Sequence, residues 1–499
     1  MKRVLILIIM ATLAFSAAAC KNNAKGTVFY EKNEVCRDFN GLGVEWGVYE
    51  ETGKLSAGAW ERITAAADRL NPRLVRCMTN FDWLVYDFDD KGTADLSDDE
   101  WKYDFDNKYM VNACEILDYC EKKGISVAFG VWNVIGNPDP EKDVFKMIPN
   151  ATSDIRWAKM TADLMEYLVR TKGYTCIKWF VNSNEPNYSG AVGASKNAYN
   201  TYAKWEQGVR NVRAALDAIG LNNIDIVGGD TTGFIGSADY LPKIAGNIPD
   251  KVNNYGVHMY ISNYDIDNAL YGQNMKKLFD GVKNIDPAVG GEKPFIIWEA
   301  GLLDGKNVIT DCNAYIANYS YGLRMADYTV QSLLSGVSGV CYWDLDDAMH
   351  FMYGENGMTA KEWGMFSTLA SASPLMQEYR PWFHSSVILT NLLQQGSHIY
   401  SPDSEKKDLR VLASVSKDGK NGGVVAVNRG REAVTETFRI ERGIESEGKI
   451  YVYVFNERDL KLGPDGFVTP NLVVEGNLND GLKLEIPAGS MAALSSRPL

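Results

Sequence analysis

The sequence predicts an α/β fold, a (β/α)8 barrel, followed by a C-terminal all-β sandwich. From about Phe39 to Leu393, short apolar strands alternate with amphipathic helices, a rhythm that is typical of a parallel sheet. This stretch holds eight strand candidates, the number that closes a barrel of ordinary size. Beyond Gly396 the pattern changes to short strands separated by turns. We therefore expect a barrel over residues 38–394 and a sandwich over residues 395–499.

The strand candidates are short apolar runs rich in β-branched and aromatic residues. In chain order they are Gly41–Trp46, Leu74–Thr79, Ser126–Trp132, Lys178–Asn182, Ile224–Gly229, Tyr255–Tyr260, Phe295–Trp298 and Val340–Trp343. Helical spacing recurs between them, as in Trp60, Ile63, Ala67 and Leu70, and a last helix is predicted over Leu375–Leu393.

The C-terminal strands are predicted from period-two patterns between turn sequences. They are Val411–Ser416, Val424–Asn428, Thr435–Ile440, Ile450–Phe455, Leu482–Ile486 and Met491–Leu494. The segment Thr27–Tyr30, within residues 24–37, precedes the barrel and is a candidate for one extra strand of it. No low-complexity linker separates the two domains, so we expect them to pack closely.

Composition limits the possible partners. The 499 residues are 45% apolar and 23% charged, as in a globular protein, and the net charge is −13. A field of that sign repels phosphate backbones and argues against nucleic acid as a partner. Neutral polymers such as glycans remain compatible with it.

The N-terminus is typical of an export signal. Lys2 and Arg3 precede an apolar run from Val4 to Phe15 that is too short to span a bilayer. The small residues that follow end in Cys20, as at a bacterial lipoprotein cleavage site, although Ala17 stands where Leu is usual. Residues 1–20 therefore predict a signal and a lipidated Cys20 at the cell envelope. The alternative is plain secretion with Cys20 removed.

The remaining cysteines follow no framework spacing, and their number is odd. We expect buried small apolar residues, not metal ligands or disulfides. They are Cys36, Cys77, Cys114, Cys120, Cys176, Cys312 and Cys341.

Two carboxylates follow predicted barrel strands directly. Glu185 lies in NSNEPN after the fourth strand, and Glu299 lies in IWEA at the end of the seventh. Working residues of a barrel sit at these carboxyl ends, and an unpaired charge there is costly without a purpose. Two facing carboxylates are what the hydrolysis of a glycosidic bond requires.

These residues resemble those of the clan A glycoside hydrolases, which have a TIM-barrel fold. The resemblance implies that Glu185 is the acid/base, that Glu299 is the nucleophile, and that Asn184 binds the sugar 2-hydroxyl. It also implies site roles for Arg76 after strand 2, for His258 and Tyr260 after strand 6, and for Trp343, a sugar platform, after strand 8. Ser183 stands where Trp or Gly is common, so families 30, 39 and 158 all remain open.

Physical chemistry adds expectations for these residues. Arg76 is expected to lower the pKa of Glu299, and a neighbouring carboxylate to raise that of Glu185. Among other strand-end residues, Trp46, Trp83 and Trp132 are either subsite or core residues.

Polar residues near other strand ends are weaker candidates. Asn133 and Asp230 are candidates for contact with sugar hydroxyls. Asp344, Asp346 and Asp347 match a calcium loop poorly and indicate a solvated rim.

Nucleotide, zinc-protease and serine-hydrolase motifs are missing from the sequence. Gly41, Gly43 and Gly47 have one residue too many for GxGxxG, and only His258 among the histidines ends a strand. We therefore expect hydrolysis with no cofactor and no metal, by a monomer that meets the membrane only through its lipid anchor.

The predicted activity is retaining cleavage of a β-linked polysaccharide or oligosaccharide, with an endo-acting β-glycanase such as a β-glucanase favoured. An exo-acting β-glycosidase is the alternative. A rival of another class is a non-catalytic glycan-binding lipoprotein on the cell surface.

Overall fold

The computed structural model describes residues 17–19, 26–132, 148–149, 151–188, 201–354, 357–367, 377–441, 444 and 448–499. Most of the predicted signal, including Cys20, lies outside the described residues, and so does Asn133.

Eight parallel strands close into a barrel, as predicted. They are β1 (Gly41–Glu45), β2 (Leu74–Thr79), β3 (Ser126–Val131), β4 (Ile177–Val181), β5 (Asp225–Thr232), β6 (Asn254–Ile261), β7 (Phe295–Leu302) and β8 (Gly339–Tyr342). Each strand pairs with the next along the chain, and β8 pairs with β1.

Helices surround the barrel, most of them with one apolar face buried and the last of them buried on nearly all sides. The long ones are α1 (Ala57–Leu70), α2 (Lys108–Lys123), α3 (Ile155–Glu166), α4 (Tyr202–Ala218), α5 (Phe234–Asn247), α6 (Leu270–Lys283), α7 (Tyr319–Leu334) and α8 (Pro381–Leu392). The Asn107 side chain caps α2, and Gly124 ends it in the left-handed region. The last helix begins at Pro381, later than the predicted Leu375, because Pro is favoured in a first helical turn.

The C-terminal domain is a sandwich of two sheets, as predicted. Its strands are β9 (His398–Tyr400), β10 (Leu409–Val415), β11 (Gly422–Asn428), β12 (Val434–Ile440), β13 (Lys449–Phe455), β14 (Leu472–Glu475), β15 (Leu482–Ile486) and β16 (Ser490–Ser495). β12 and β15 belong to one sheet, and the other six belong to the second. Alternate side chains of both sheets form a buried apolar layer between them.

The N-terminal segment joins this sandwich and not the barrel, which corrects the expectation for Thr27–Tyr30. Thr27–Phe29 pairs in parallel with β12, and Glu34–Cys36 pairs with β9. Ala17–Ala19 pairs with β15. These pairings join distant parts of the chain, as does the hydrogen bond from the Thr27 backbone N–H to the Glu436 carboxylate, 409 positions away, so no local pattern could indicate them.

The sandwich packs against α7 and α8 of the barrel. An added Cβ at Gly322 of α7 would lie 2.7 Å from the Phe455 ring and 3.0 Å from the Trp382 backbone, so glycine permits the close approach. Arg410 of β10 also donates a 3.0 Å hydrogen bond to buried Asp327 of α7. The two domains therefore share one continuous interface.

The seven predicted thiols are free, and all but Cys312 are buried. Over the described stretches, the helices are too short or too polar to cross a bilayer.

Candidate active site

Glu185 and Glu299 reach the mouth of the barrel from opposite sides. Glu185 follows β4 at φ 43, a left-handed conformation, and its backbone N–H donates to the carbonyl of Asp230 at 3.1 Å. Glu299 lies within β7, which continues to Leu302, and is 5% exposed. Both side chains therefore meet inside a nearly closed site.

The two carboxylates are close together. One oxygen of each, together with a ring nitrogen of His258, all lie within 4.8 Å of one another. A trio of this kind is where a metal ion could bind. However, both oxygens of Glu299 already accept hydrogen bonds, one from Arg76 and one from Tyr260. The contacts shown are therefore those of a hydrogen-bonded network.

The Arg76 guanidinium joins four barrel strands. Its Nη1 donates to Oε2 of Glu45 at 3.1 Å and to Oε1 of Glu299 at 2.9 Å. Its Nη2 donates to Oδ1 of Asn184 at 2.7 Å and to Oδ2 of Asp230 at 2.8 Å. Arg76 is fully buried, so a planar, permanently charged group organises the floor of the site.

Arg76 is only one of the influences on the pKa of Glu299. Burial raises the pKa of Glu299 above its ordinary value, although the charges of His258 and Arg76 act to lower it. The lowering effect expected of Arg76 is therefore present, but burial outweighs it, and Arg76 shares its charge among Glu299, Glu45 and Asp230.

His258 lies between the two candidate catalytic residues. Its Nδ1 is 3.0 Å from Oε1 of Glu185 and 3.5 Å from Oε1 of Glu299, and its Nε2 is 2.9 Å from Oδ1 of Asp230. Burial opposes its charge, yet the neighbouring Asp230 and Glu299 raise the pKa of His258 to about 10. The imidazole of His258 is thus a buried partner of carboxylates and not a residue at the rim of the barrel.

Two predicted aromatic residues lie beside Arg76. The rings of Trp132 and Trp343 meet edge to face with centroids 6.0 Å apart, and Arg76 lies 5.1 Å from the Trp132 centroid. His350 stacks on Trp343 at 5.1 Å and 3°, and its Nδ1 pairs with Glu50 at 3.2 Å. One face of Trp343 is therefore covered by His350, and the residue is only 7% exposed, so little of its ring is left to meet a sugar.

Trp46 is a core residue, which corrects its assignment to a subsite. Its ring is fully buried between α1 and α2, 5.7 Å from Trp60 and 5.2 Å from Tyr119. Trp83 stacks on Tyr109 of α2 at 4.4 Å. The rings of Trp46 and Trp83 therefore contact helix residues and not the side chains around Arg76.

The aspartates after β8 are buried, so the expectation of a solvated rim is wrong. Arg380 donates to Asp347 at 2.9 Å, and Tyr49 donates to Asp346 at 3.3 Å. Neither oxygen of Asp344 has a hydrogen-bond partner among the described residues. Burial, with the charges of Asp347 and Asp346, raises the pKa of Asp344 far above its ordinary value.

Glu45 is the site residue that sequence reasoning missed. It ends β1, is fully buried, and shares Nη1 of Arg76 with Glu299. Burial raises the pKa of Glu45 to about 8, against the charge of Arg76. The rule that singled out Glu185 and Glu299, a carboxylate at a strand end, applies equally to Glu45.

The sequence matches no protein-family model and no curated protein. Solved structures do match over nearly the whole chain. The catalytic domain of a family 30 xylanase C from Talaromyces cellulolyticus superimposes with a TM-score of 0.64 at 12% identity, covering 94% of this chain and 99% of that one.

Two further structures come from other families. A family 39 β-xylosidase from Caulobacter crescentus has a TM-score of 0.60 at 14% identity and covers 95% of this chain and 99% of its own. A family 51 α-L-arabinofuranosidase from Bifidobacterium longum has a TM-score of 0.59 at 11% identity, with coverage of 94% and 99%. These likenesses confirm the resemblance to clan A glycoside hydrolases at the level of the fold and favour no single family.

Proposed function

We propose that this protein is a retaining glycoside hydrolase, with Glu299 as nucleophile and Glu185 as acid/base. The observation that carries the proposal is the approach of their carboxylate oxygens to within 4.8 Å. Retaining enzymes hold their carboxyl groups about 5 Å apart, whereas inverting enzymes leave about 6.5–9.5 Å for a water. The shared fold of the three glycosidases supports the same class of reaction.

In this mechanism Glu299 attacks the anomeric carbon while Glu185 protonates the leaving oxygen. Tyr260 and Arg76 donate to Oε2 and Oε1 of Glu299 and fix its orientation. Glu185 then removes a proton from water, which attacks the glycosyl-enzyme and returns Glu299. Asn184, whose Oδ1 accepts a hydrogen bond from Arg76, is the proposed ligand of the sugar 2-hydroxyl.

The proposed substrate is a β-linked polysaccharide or oligosaccharide cut internally. The similar structures are described as a xylanase, a β-xylosidase and an arabinofuranosidase, so xylans belong in the test beside the β-glucans that we favour. Trp132, which is partly exposed, and the small exposed part of Trp343 are the proposed sugar-stacking surfaces.

The test measures reducing-sugar release from β-glucans, xylans and aryl β-glycosides by wild type, Glu299→Ala and Glu185→Ala. Glu166→Gln, an exposed change on α3, is the control. We expect Glu299→Ala to lose release and Glu185→Ala to recover activity on aryl glycosides when azide is added. Retained configuration in the first product seen by NMR supports the mechanism, and inversion overturns it.

The same assay separates the rival activities. A ladder of oligosaccharides indicates endo action, and release of single sugars indicates exo action. Binding of a glycan without release by wild type would favour the non-catalytic surface lipoprotein instead.

We also propose that Cys20 carries a lipid that anchors the protein at the bacterial envelope. The support is the sequence alone: a short apolar run after Lys2 and Arg3, ending in small residues and Cys20. Labelled palmitate should enter the wild type and not Cys20→Ser. An unlabelled wild type released into the medium would point to plain secretion.

A further inference from the structure

Asp230 sits in a strained stretch of backbone at the end of β5. Its φ is 57, and the pairing of β5 with β6 shifts register between Gly229 and Thr231. Residues other than glycine seldom adopt this backbone conformation, and it persists only where the surrounding structure holds it. Gly229, at φ 116, lets the bulge pass the carbonyl of Gly256, which an added Cβ would approach to 2.8 Å. The bulge turns Asp230 into the site.

Once turned inward, Asp230 contacts three residues of the site. Oδ2 accepts from Arg76 at 2.8 Å, and Oδ1 lies 2.9 Å from Nε2 of His258. Its backbone carbonyl accepts the N–H of Glu185 at 3.1 Å. The side chain is 1% exposed, so water does not compete for these bonds.

Both nitrogens of His258 face carboxylate oxygens, those of Asp230 and Glu185. An ionised carboxylate only accepts hydrogen bonds, and an imidazole satisfies two such acceptors only when both nitrogens carry a proton. We infer that Asp230 is a positioning residue that holds His258 as an imidazolium, whose Nδ1–H orients Oε1 of Glu185. This inference rests on the proposed acid/base role of Glu185.

The consequence for catalysis follows from where the proton goes. With Oε1 held by His258, the proton that Glu185 transfers belongs on Oε2. As the glycosidic C–O bond breaks and Glu299 bonds to the anomeric carbon, that proton passes to the leaving oxygen. The carboxylate left on Glu185 then lies beside a fixed positive charge, which stabilises the anion that forms as the proton leaves.

The strands packed against Asp230 and His258 all present charged groups to these two residues. Arg76 of β2, Glu185 after β4 and Glu299 of β7 contact Asp230 or His258, and Glu45 of β1 reaches them through Arg76. Tyr260 of β6 donates to Glu299. Although burial opposes ionisation, Arg76 and His258 hold the pKa of Asp230 below its ordinary value.

The first test is NMR of protein labelled with ¹⁵N-histidine, which does not require activity. The chain has four histidines, so the ring signals can be assigned by single substitutions. We expect both nitrogens of His258 to be protonated at pH 7 in the wild type. In Asp230→Asn the ring should lose its proton at a lower pH than in the wild type, because one of the carboxylates that hold its charge is gone while Glu185 and Glu299 remain. Asp225→Asn, at the far end of the same strand, is the matched control.

A neutral His258 in the wild type overturns the inference, whether or not Asp230→Asn folds. So does a His258 whose pH titration is unchanged in a folded Asp230→Asn. Neither result depends on turnover, so failure of the inference is distinguishable from failure of the proposed function, which the Glu299→Ala assay judges.

The second test compares leaving groups in Asp230→Asn. General acid catalysis contributes about 10²- to 10⁴-fold, so kcat/KM for an alkyl glycoside should fall by about ten-fold or more. A dinitrophenyl glycoside, whose leaving group needs little protonation, should change far less. The acid limb of the pH profile should move to higher pH, because Glu299 loses a neighbouring positive charge that lowers its pKa. Equal losses for both substrates with an unmoved acid limb indicate a merely structural role and overturn the inference.

Discussion

Tyr260 and Glu299 are joined across neighbouring barrel strands by a 2.7 Å hydrogen bond from the phenol to Oε2. Tyr260 pairs in register with Gly301, where an added Cβ would lie 3.0 Å from the ring. Trp363 meets the other side of the ring edge to face, with centroids 5.5 Å apart. The phenol is therefore fixed by packing before any substrate binds.

Tyr260→Phe should lower kcat with little change in KM. A hydrogen bond to a charged group is worth about 1.5–3 kcal/mol, which corresponds to a loss of about 10- to 100-fold. The phenol also helps to lower the pKa of Glu299, so the acid limb of the pH profile should move to higher pH. Tyr86→Phe, at an exposed tyrosine, is the control. Wild-type kcat in Tyr260→Phe would show that this bond does not orient the nucleophile.

Arg76→Met should destabilise the protein by about 3–5 kcal/mol, because it leaves buried carboxylates without their cation. Those carboxylates, Glu45, Asp230 and Glu299, then stay protonated in the folded state to higher pH than in the unfolded chain. Stability should therefore fall as pH rises above about 4, the ordinary range of carboxyl pKa values.

Urea unfolding at pH 5 and pH 8 measures this effect. Arg170→Met, which breaks an exposed pair with Glu166, should change stability by less than about 1 kcal/mol at either pH. A loss for Arg76→Met that is equal at both pH values would contradict the reasoning.

The barrel was predictable because each strand is a local apolar run, and all eight candidates form it. The direction of single side chains was predictable only from strand alternation. Glu45 meets Arg76 in the barrel interior, so the next residue, Trp46, must face the helices. Trp132 follows its strand two positions after Gly130 and stays with the interior residues. The strand-end rule alone gave both tryptophans the same assignment.

Other parts of the site depended on distant pairings. Nothing local in the sequence indicates that His350 stacks on Trp343 or pairs with Glu50, which is 300 positions away. Asp230 points into the site because of the bulge in β5, and that bulge depends on the pairing of β5 with β6. Such contacts are decided by the closed barrel, not by the segment that carries the residue.

Glu45→Gln should weaken the pH dependence of stability. Burial raises the pKa of Glu45 from 4.5 to about 8, so the folded state keeps a proton that the unfolded chain has lost. Wild-type stability should therefore decline from about pH 4.5 to pH 8, and the variant should gain on the wild type across that window. Denaturation at several pH values measures the difference, with Glu166→Gln as the control. Parallel curves for wild type and Glu45→Gln would mean that Glu45 is ionised throughout.

Arg410 of the sandwich reaches Asp327 on α7, which is fully buried. Burial raises the pKa of Asp327 to about 6, although Arg410 acts to lower it. Arg410→Ala should therefore cost about 3–5 kcal/mol at pH 8 and less at pH 5, where Asp327 can take up a proton.

The cost should appear at the interface between the domains. Because Arg410 also donates to the carbonyl of Asp267 at 2.9 Å, its loss frees two contacts that join the sandwich to the barrel. We expect the single unfolding transition of the wild type to split in Arg410→Ala, with the sandwich unfolding first in urea. Arg439→Ala, which breaks an exposed pair with Glu441 on the same domain, should leave one transition within about 1 kcal/mol of the wild type. If Arg410→Ala behaves like this control, the apolar packing around Gly322 and the pairs of Arg429 with Asp267 and Asp327 hold the domains together without Arg410.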